Sequence, residues 1–351
     1  MGRDVLSVRQ LMVLLMVALL APATDLLPSV AARQVGRGGW LIALGALPVL
    51  LAALWVCSRV FCRRGLCGRV GKPVGYTIII IYMVWILFVL SLVFRLSAAR
   101  METVYSGVPP ILFALGVAAL AAWVGMGKAA ALARGAEIFY LVLTVVLAGI
   151  LLLALFKVEW GNLYPVAWSR LPVGSLSAAG ILLNVVPAAV LASRVPQTAR
   201  SKGKSCGWVI AFCAAVTLVL AAVLGSVGSR LSGRLNIPYY IMVQGLGIKG
   251  AFQRTEALIA AMWLLSDVVL AGTLLRAAND YITQLKSTRW GKWSVPVMAA
   301  LAVGAGWLLL PEEDRVPEFC GGVLPVTGIV LGLLIPALLL LISAARKRKT
   351  R

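Results

Sequence analysis

The 351-residue sequence contains no histidine. It therefore lacks the residue that most often serves as general base or proton relay near neutral pH. Acids are also scarce: 12 aspartates and glutamates stand against 33 lysines and arginines. No polar stretch is long enough for an extramembrane domain, so residues 1–351 read as one membrane unit. The six cysteines, Cys57, Cys62, Cys67, Cys206, Cys213 and Cys320, are scattered. Cys62 and Cys67 share a basic loop but have no second ligand pair, and zinc needs about four ligands. The sequence thus calls for no metal and no cofactor. It shows no nucleophile–base pair and no close carboxylate dyad at an expected surface, which argues against a membrane enzyme. The N-terminus does not read as a signal peptide. Its apolar run is long, begins after Arg9, and lacks a clean cleavage site.

What is abundant is apolar. The chain is 61% hydrophobic and 13% charged, with a mean hydropathy of +0.97. That composition belongs to an all-α polytopic membrane protein. A span needs about 20 apolar residues, and ten transmembrane helices are expected on that basis. They run Leu11–Ala32, Trp40–Cys57, Val74–Leu96, Val108–Met126, Ile138–Phe156, Gly174–Ser193, Cys206–Val227, Ala257–Leu275, Val295–Leu310 and Gly322–Ser343. Ser7 is positioned to cap the first. The net charge of +21 matters less than where the charges lie. With both termini cytoplasmic, about two thirds of the 33 basic residues fall on the inner side, as the positive-inside rule requires. The acidic Glu312-Glu313-Asp314 then lies outside. Trp40, Trp160, Trp168, Trp290 and Trp293 fall near span ends, where indoles favour the headgroup zone. The basic tail Arg346–Lys349 suits anionic membrane lipid or plain solvation, and nucleic acid is not an expected partner.

Two spans are interrupted. The first carries Pro22, Asp25 and Pro28 within Leu19–Pro28. Proline removes a backbone donor and clashes with the carbonyl four residues back, and a mid-membrane aspartate costs about 2.5 kcal/mol or more. The segment is therefore either a proline kink with a hydrated aspartate or an unwound helix lining a binding site. The sixth carries Asn184 and Pro187 at mid-depth. Ten spans divide into five plus five, and an odd half enters the membrane from the opposite side. This permits an inverted repeat, about 8–157 and about 174–345, with spans one and six as counterparts.

Asp267 in span eight is the second mid-membrane acid. Neither it nor Asp25 has an intrahelical Lys or Arg within one turn, so each must be protonated, hydrated or paired across helices. Together they suit a cation or proton site, or two neutral acids sharing a hydrogen bond. Glu137 is expected to pair with Arg134 at i,i+3. Arg95, near the end of span three, is expected to snorkel.

Four stretches carry a family resemblance. They are Ser7-Val8-Arg9-Gln10 through Pro28 to Trp40; Trp160–Val166; Arg194-Val195-Pro196 with Lys202 and Lys204; and Asn236-Ile237-Pro238 with Gly250–Leu258 and Trp263. In these the chain resembles the membrane-embedded B subunit of endospore nutrient-germinant receptors, within the amino acid–polyamine–organocation transporter superfamily. It departs from that family at three places. Ala21-Pro22-Ala23-Thr24 stands where Gly-Thr or Gly-Ser-like small residues are common, Gly38-Gly39 precedes Trp40 where an aspartate is common, and Pro187-Ala188-Ala189 lacks the glutamate usual in span six.

The resemblance implies the five-plus-five inverted repeat of the amino acid permease (LeuT-like) type. It also implies a receptor subunit in the spore inner membrane that binds a small nutrient, commonly an amino acid or sugar. The implied partners are an A subunit and a C-subunit lipoprotein, and the implied outcome of binding is germination. The alternative is a proton- or cation-coupled amino acid permease of the same fold. In either case the expected ligand-binding residues are Ala21, Pro22, Ala23, Thr24, Asp25, Tyr82, Asn184, Val185, Pro187, Trp263 and Asp267.

Overall fold

The computed structural model describes residues 4–61, 71–105, 107–196, 205–246, 255–285, 291–312 and 315–349. Cys62, Cys67, Lys202, Lys204, Trp290, Glu313, Asp314 and the stretch 250–254 lie outside the described residues, as do the side chains of Thr255, Glu256 and residues 346–349. Among the described residues every regular element is a helix.

Helix α1 (Val8–Gln34) opens on a capping box, with Ser7 Oγ accepting the Gln10 amide at 3.1 Å and Gln10 Oε1 accepting the Ser7 amide at 3.0 Å. A 3-10 turn, Gly36–Leu41, leads into α2 (Ile42–Val60). A Cβ on Gly39 would stand 2.7 Å from the Ala31 carbonyl oxygen, so the position before Trp40 has no room for an aspartate. There follow α3 (Lys72–Val104), α4 (Pro110–Met126), α5 (Ala129–Leu155) and α6 (Leu171–Leu183), the last continued by a 3-10 segment, Val186–Arg194. Next come α7 (Ser205–Val227), α8 (Thr255–Leu285), α9 (Gly291–Leu309) and α10 (Val316–Ile329). One π turn, Val330–Leu334, joins α10 to α11 (Ile335–Lys349).

Seven described helices are long and apolar enough to cross a membrane, and α6 with its 3-10 continuation makes an eighth crossing bent by 50°. The shorter apolar α4 and the Trp293–Leu309 part of α9 stand where spans four and nine were expected. At 17 residues α4 is near the lower limit for spanning a bilayer. The chain is an integral, multi-pass membrane protein.

The two most buried helices are α1 and α8, which pack against each other. Around α8 lie α3, α4 and α9, while α5 packs on α1, and α2 on α6 and α7. The outer side of α5 shows Ile138, Leu141, Val145, Leu152 and Phe156 to the surroundings, an apolar face suited to lipid. At the α6–α10 contact a Cβ on Gly328 would stand 1.8 Å from Gly180 O, and one on Gly180 would stand 2.1 Å from Pro325 O. Glycine at both positions lets the two backbones touch, as small residues do between membrane helices.

Several sequence expectations change. The first span is not unwound: α1 is one helix through both Pro22 and Pro28. The sixth is broken, at Asn184–Val185, and Pro187 sits at the start of the 3-10 segment, where a missing N–H costs nothing. Span three runs past Leu96 to Val104, because no glycine or proline stops it before Gly107. Arg95 does not snorkel. It is buried, stacks 4.4 Å from the Trp307 ring, and donates to the Leu310 and Pro311 carbonyls at 2.9 and 2.8 Å, beyond the end of α9. Those carbonyls gather partial negative charge at a helix C-terminus, which holds the guanidinium. Glu137 pairs with Arg9 at 3.5 Å and Gln10 at 3.4 Å rather than with Arg134, because α1 packs on α5 and brings both side chains to it.

Candidate functional site

The two mid-membrane acids are joined by an arginine from a third helix. Arg100 of α3 donates from Nη2 to Asp267 Oδ2 at 2.6 Å, and its Nη1 lies 3.2 Å from Asp25 Oδ2. All three side chains are at most 3% exposed. The guanidinium also lies 5.5 Å from the centre of the Trp263 ring. Thus the acids are paired across helices. Arg100 was missed from the sequence because span three looked complete at Leu96. The run Ser97–Thr103, which contains only residues a helix tolerates, was the available signal. The pairing is uneven: neither oxygen of Asp25 receives a hydrogen bond, and Arg100 Nε is also unpartnered.

The seam between α1 and α8 is patched at the proline. In a regular helix the Ala21 amide would bond the Val17 carbonyl. Ser266 Oγ of α8 bridges this pair, accepting from Ala21 N at 2.8 Å and donating to Val17 O at 2.7 Å. Thr24 Oγ1 donates to Leu20 O at 2.9 Å and accepts the Trp263 indole N–H at 2.9 Å. Hydroxyls from its own and a neighbouring helix therefore keep α1 helical through Pro22, as happens in membrane interiors. Ser266 is the second residue the sequence reading did not single out.

At the end of α6, Asn184 Nδ2 donates to Gly180 O at 2.9 Å, Ile181 O at 3.1 Å and, across to α10, Leu324 O at 3.0 Å. Three carbonyls on the nitrogen fix the amide orientation and leave Oδ1 buried without a partner.

Pro22, Asp25, Arg100, Asn184, Val185 and Asp267 line one void of about 40 Å³. The structure therefore brings five expected site residues together around one small void, whose other walls, Leu26, Val89, Leu92 and Leu270 among them, are apolar. Ala21, Thr24 and Trp263 lie in the adjoining seam, and Ala23 packs in the apolar core beside Leu26. Tyr82 and Pro187 are elsewhere: Tyr82 donates to Leu331 O at 3.2 Å, Tyr281 donates to Pro187 O at 2.9 Å, and the two tyrosine rings are 5.9 Å apart.

The void has a cavity on either side. Asp25, Leu96 and Arg100 also line a vestibule of about 360 Å³, with Glu102, Asn236 and Pro317. Leu19 and Val185 also line a cavity of about 220 Å³ toward the N-terminal face, whose walls include Leu11, Leu15, Leu54 and Phe212. Those walls are almost wholly apolar. One helix, α1, thus touches all three spaces in succession.

A second ionic cluster closes the N-terminal face. Arg194, at the end of the 3-10 segment, grips Asp280 of α8 through Nη2–Oδ1 at 2.7 Å and Nε–Oδ2 at 3.1 Å, and also pairs with Asp4. Arg276 reaches Asp280 at 3.3 Å and Asp4 at 3.7 Å. Asp4 accepts the amides of Ala129 and Ala130 at the start of α5, at 3.2 and 2.9 Å, where the helix dipole favours an anion. From Asp267 to Asp280 along α8 is about 20 Å at the helical rise, so the two charged clusters sit at different membrane depths. No group of His, Cys, Asp and Glu among the described residues could hold a metal ion.

A structural comparison bears on the fold. A solved structure described as a substrate-bound, outward-open state of a Na+-coupled sialic acid symporter matches with a TM-score of 0.65 at 13% identity, covering 95% of this chain and 80% of that one. The fold is that of the LeuT-like transporters. No family model and no curated protein matches the sequence.

Proposed function

We propose that this chain is a membrane permease that carries a small solute, an amino acid in the first instance, by alternating access. The observation that carries the reading is the row of three cavities along α1, with a void between an outer vestibule and a cavity on the N-terminal face. Its closures are ion pairs and a few side chains rather than continuous core. Asp25, Leu96 and Arg100 separate void from vestibule, Leu19 and Val185 separate it from the apolar cavity, and the Asp4–Arg194–Asp280–Arg276 cluster ties down the ends of the moving parts. The broken span six and the likeness to a symporter support the same reading. At about 40 Å³ the void is far smaller than a typical ligand pocket of about 300 Å³ or more, so loading requires the closure at Asp25 and Arg100 to part. With the charge bias read from the sequence, the N-terminal face is cytoplasmic.

A second reading has its own support. The cavity beyond Leu19 and Val185 is apolar, with Ser58 and Ser205 among its few polar walls. A charged solute that reaches the void from the vestibule meets no polar exit in this conformation. Binding without passage is what a nutrient-germinant receptor subunit with A and C partners does, and the four resembling stretches point the same way.

One experiment separates the two. Purified protein is reconstituted into vesicles and offered a mixture of radiolabelled amino acids. A permease accumulates label with time above protein-free vesicles. Saturable binding without accumulation sinks the permease reading in favour of the receptor.

A further inference from the structure

We propose that the apolar cavity at the N-terminal face is a slot for one acyl chain of an anionic membrane phospholipid. The proposal goes beyond both readings of the solute path and rests on neither. The first argument is shape. On α1 the slot is lined at Val8, Leu11, Leu15 and Leu19, and on α2 at Leu50, Leu54 and Ser58. The start of α7, from Ser205 to Phe212, and the end of α6 with its 3-10 continuation close it. Each helix gives it one face over two to three turns, so the slot runs along the helices. From Val8 to Leu19 is about 16 Å at the helical rise, and half of a bilayer's hydrocarbon core is about 15 Å. The slot thus reaches from the surface of one leaflet to mid-membrane, the depth that a lipid tail occupies.

The second argument is the chemistry of the walls. No charged residue lines the slot, and its only side-chain oxygens are those of Ser58 and Ser205. Both serines lie at the N-terminal end, and Ser58 is the one exposed wall residue. Along the rest, water finds too few partners. An apolar cavity of about 150 Å³ stays dry and binds a hydrocarbon, and this one, at about 220 Å³, is larger. A zwitterion would leave its charges unpaired here. A hydrocarbon chain gains dispersion contacts along its whole length.

The third argument is charge at the open end. Arg59 follows Ser58 in the last turn of α2, is exposed, and stacks over the Trp55 ring at 4.2 Å. Arg9 follows Val8 on α1 and is exposed beside Glu137. The sequence segments 62–70, after α2, and 197–204, before α7, hold Arg63, Arg64, Arg69, Arg200, Lys202 and Lys204 and no acid. A guanidinium suits a phosphate, and basic residues at a membrane surface draw anionic headgroups. An apolar slot with a basic rim matches a phospholipid with one chain inserted and its phosphate outside. On the permease reading, the chain fills the exit side in this conformation and withdraws before solute passes.

The test uses the purified full-length protein in detergent micelles and reads tryptophan fluorescence, because Trp208 lines the slot. Bromine quenches an indole on contact. Phosphatidylglycerol brominated at mid-chain, phosphatidylcholine brominated likewise, and brominated stearate are titrated separately, with unbrominated phosphatidylglycerol as competitor. The signal is the quenching that Trp208→Phe removes, which separates Trp208 from the other tryptophans among the chain's eleven. Saturable quenching by brominated phosphatidylglycerol, reversed by the unbrominated lipid, is expected. Its half-saturation is expected at least about fivefold below that of phosphatidylcholine, the preference that one basic residue gives an anionic headgroup. Ala189→Leu with Ala192→Leu fills the slot and is expected to abolish the quenching while Tm holds or rises, as cavity filling does. Ala53→Val narrows the slot from α2 and gives the same reading if that pair folds poorly. The proposal is overturned by quenching that fails to saturate, that phosphatidylcholine or stearate produces equally well, or that the slot-filling variants leave unchanged. Absence of any quenching that depends on Trp208 overturns it too. The readout is lipid rather than solute, so uptake in vesicles and this result stand or fall separately.

Discussion

Ser266 of α8 accepts the Ala21 amide proton of α1 at 2.8 Å, immediately before Pro22. Its hydroxyl proton goes to Val17 O, so a single side chain bridges the amide and the carbonyl one turn apart in α1. This joins the two most buried helices at the level where Pro22 weakens the first.

Removing that hydroxyl strands two backbone groups where no water reaches them. Ser266→Ala is expected to lower stability by about 1–3 kcal/mol, the cost of unsatisfied buried polar groups. Ser266→Thr keeps the hydroxyl and loses less. Denaturation of the purified protein in detergent reads both. An Ser266→Ala variant as stable as wild type would mean that α1 closes the bond by itself.

Arg100 sets a charge balance that can be tested by arithmetic on variants. Arg100→Ala leaves two buried carboxylates unpaired and is expected to cost about 3–5 kcal/mol. Asp25→Asn leaves one arginine on one aspartate and stays within about 1 kcal/mol of wild type. Adding Asp25→Asn and Asp267→Asn to Arg100→Ala recovers most of the loss. Finding Arg100→Ala milder than Asp25→Asn contradicts the charge count.

The α6–α10 contact admits no side chain. Gly328→Ala puts a Cβ onto the Gly180 carbonyl and is expected to cost about 1–3 kcal/mol as overpacking, with poor yield. Gly304→Ala in α9 meets nothing within 4 Å and is expected to gain about 0.5–1 kcal/mol from helix propensity. Melting temperatures of the two variants, measured side by side, should move in opposite directions.

Much of the chain was readable in order. A run of about 20 apolar residues has one stable solution in a bilayer, a helix that satisfies its own backbone. Asn184 and Pro187 mark a real break, because the Asn184 amide can cap carbonyls that a 3-10 turn frees. Pro22 and Pro28 misled because proline states which hydrogen bond is lost but not who replaces it. The answer was on α8, some 240 residues away in sequence. Span ends were misjudged for a similar reason. Hydropathy stops at Leu96 when charge begins, but α3 continues because Arg100 finds two carboxylates there.

The sequence by itself determined a multi-pass helical membrane protein, the break in its sixth span, and the presence of two acids that could not stay unpaired at depth. Only the tertiary structure decided their partner, the size of the void they line and the hydroxyl that keeps α1 whole. The physical reason is range. Transfer free energy and backbone satisfaction act on each segment alone, so they are legible along the chain. Pairing of buried charges and bridging of open backbone groups depend on which helices come into contact, and one sequence read in order does not contain that distance.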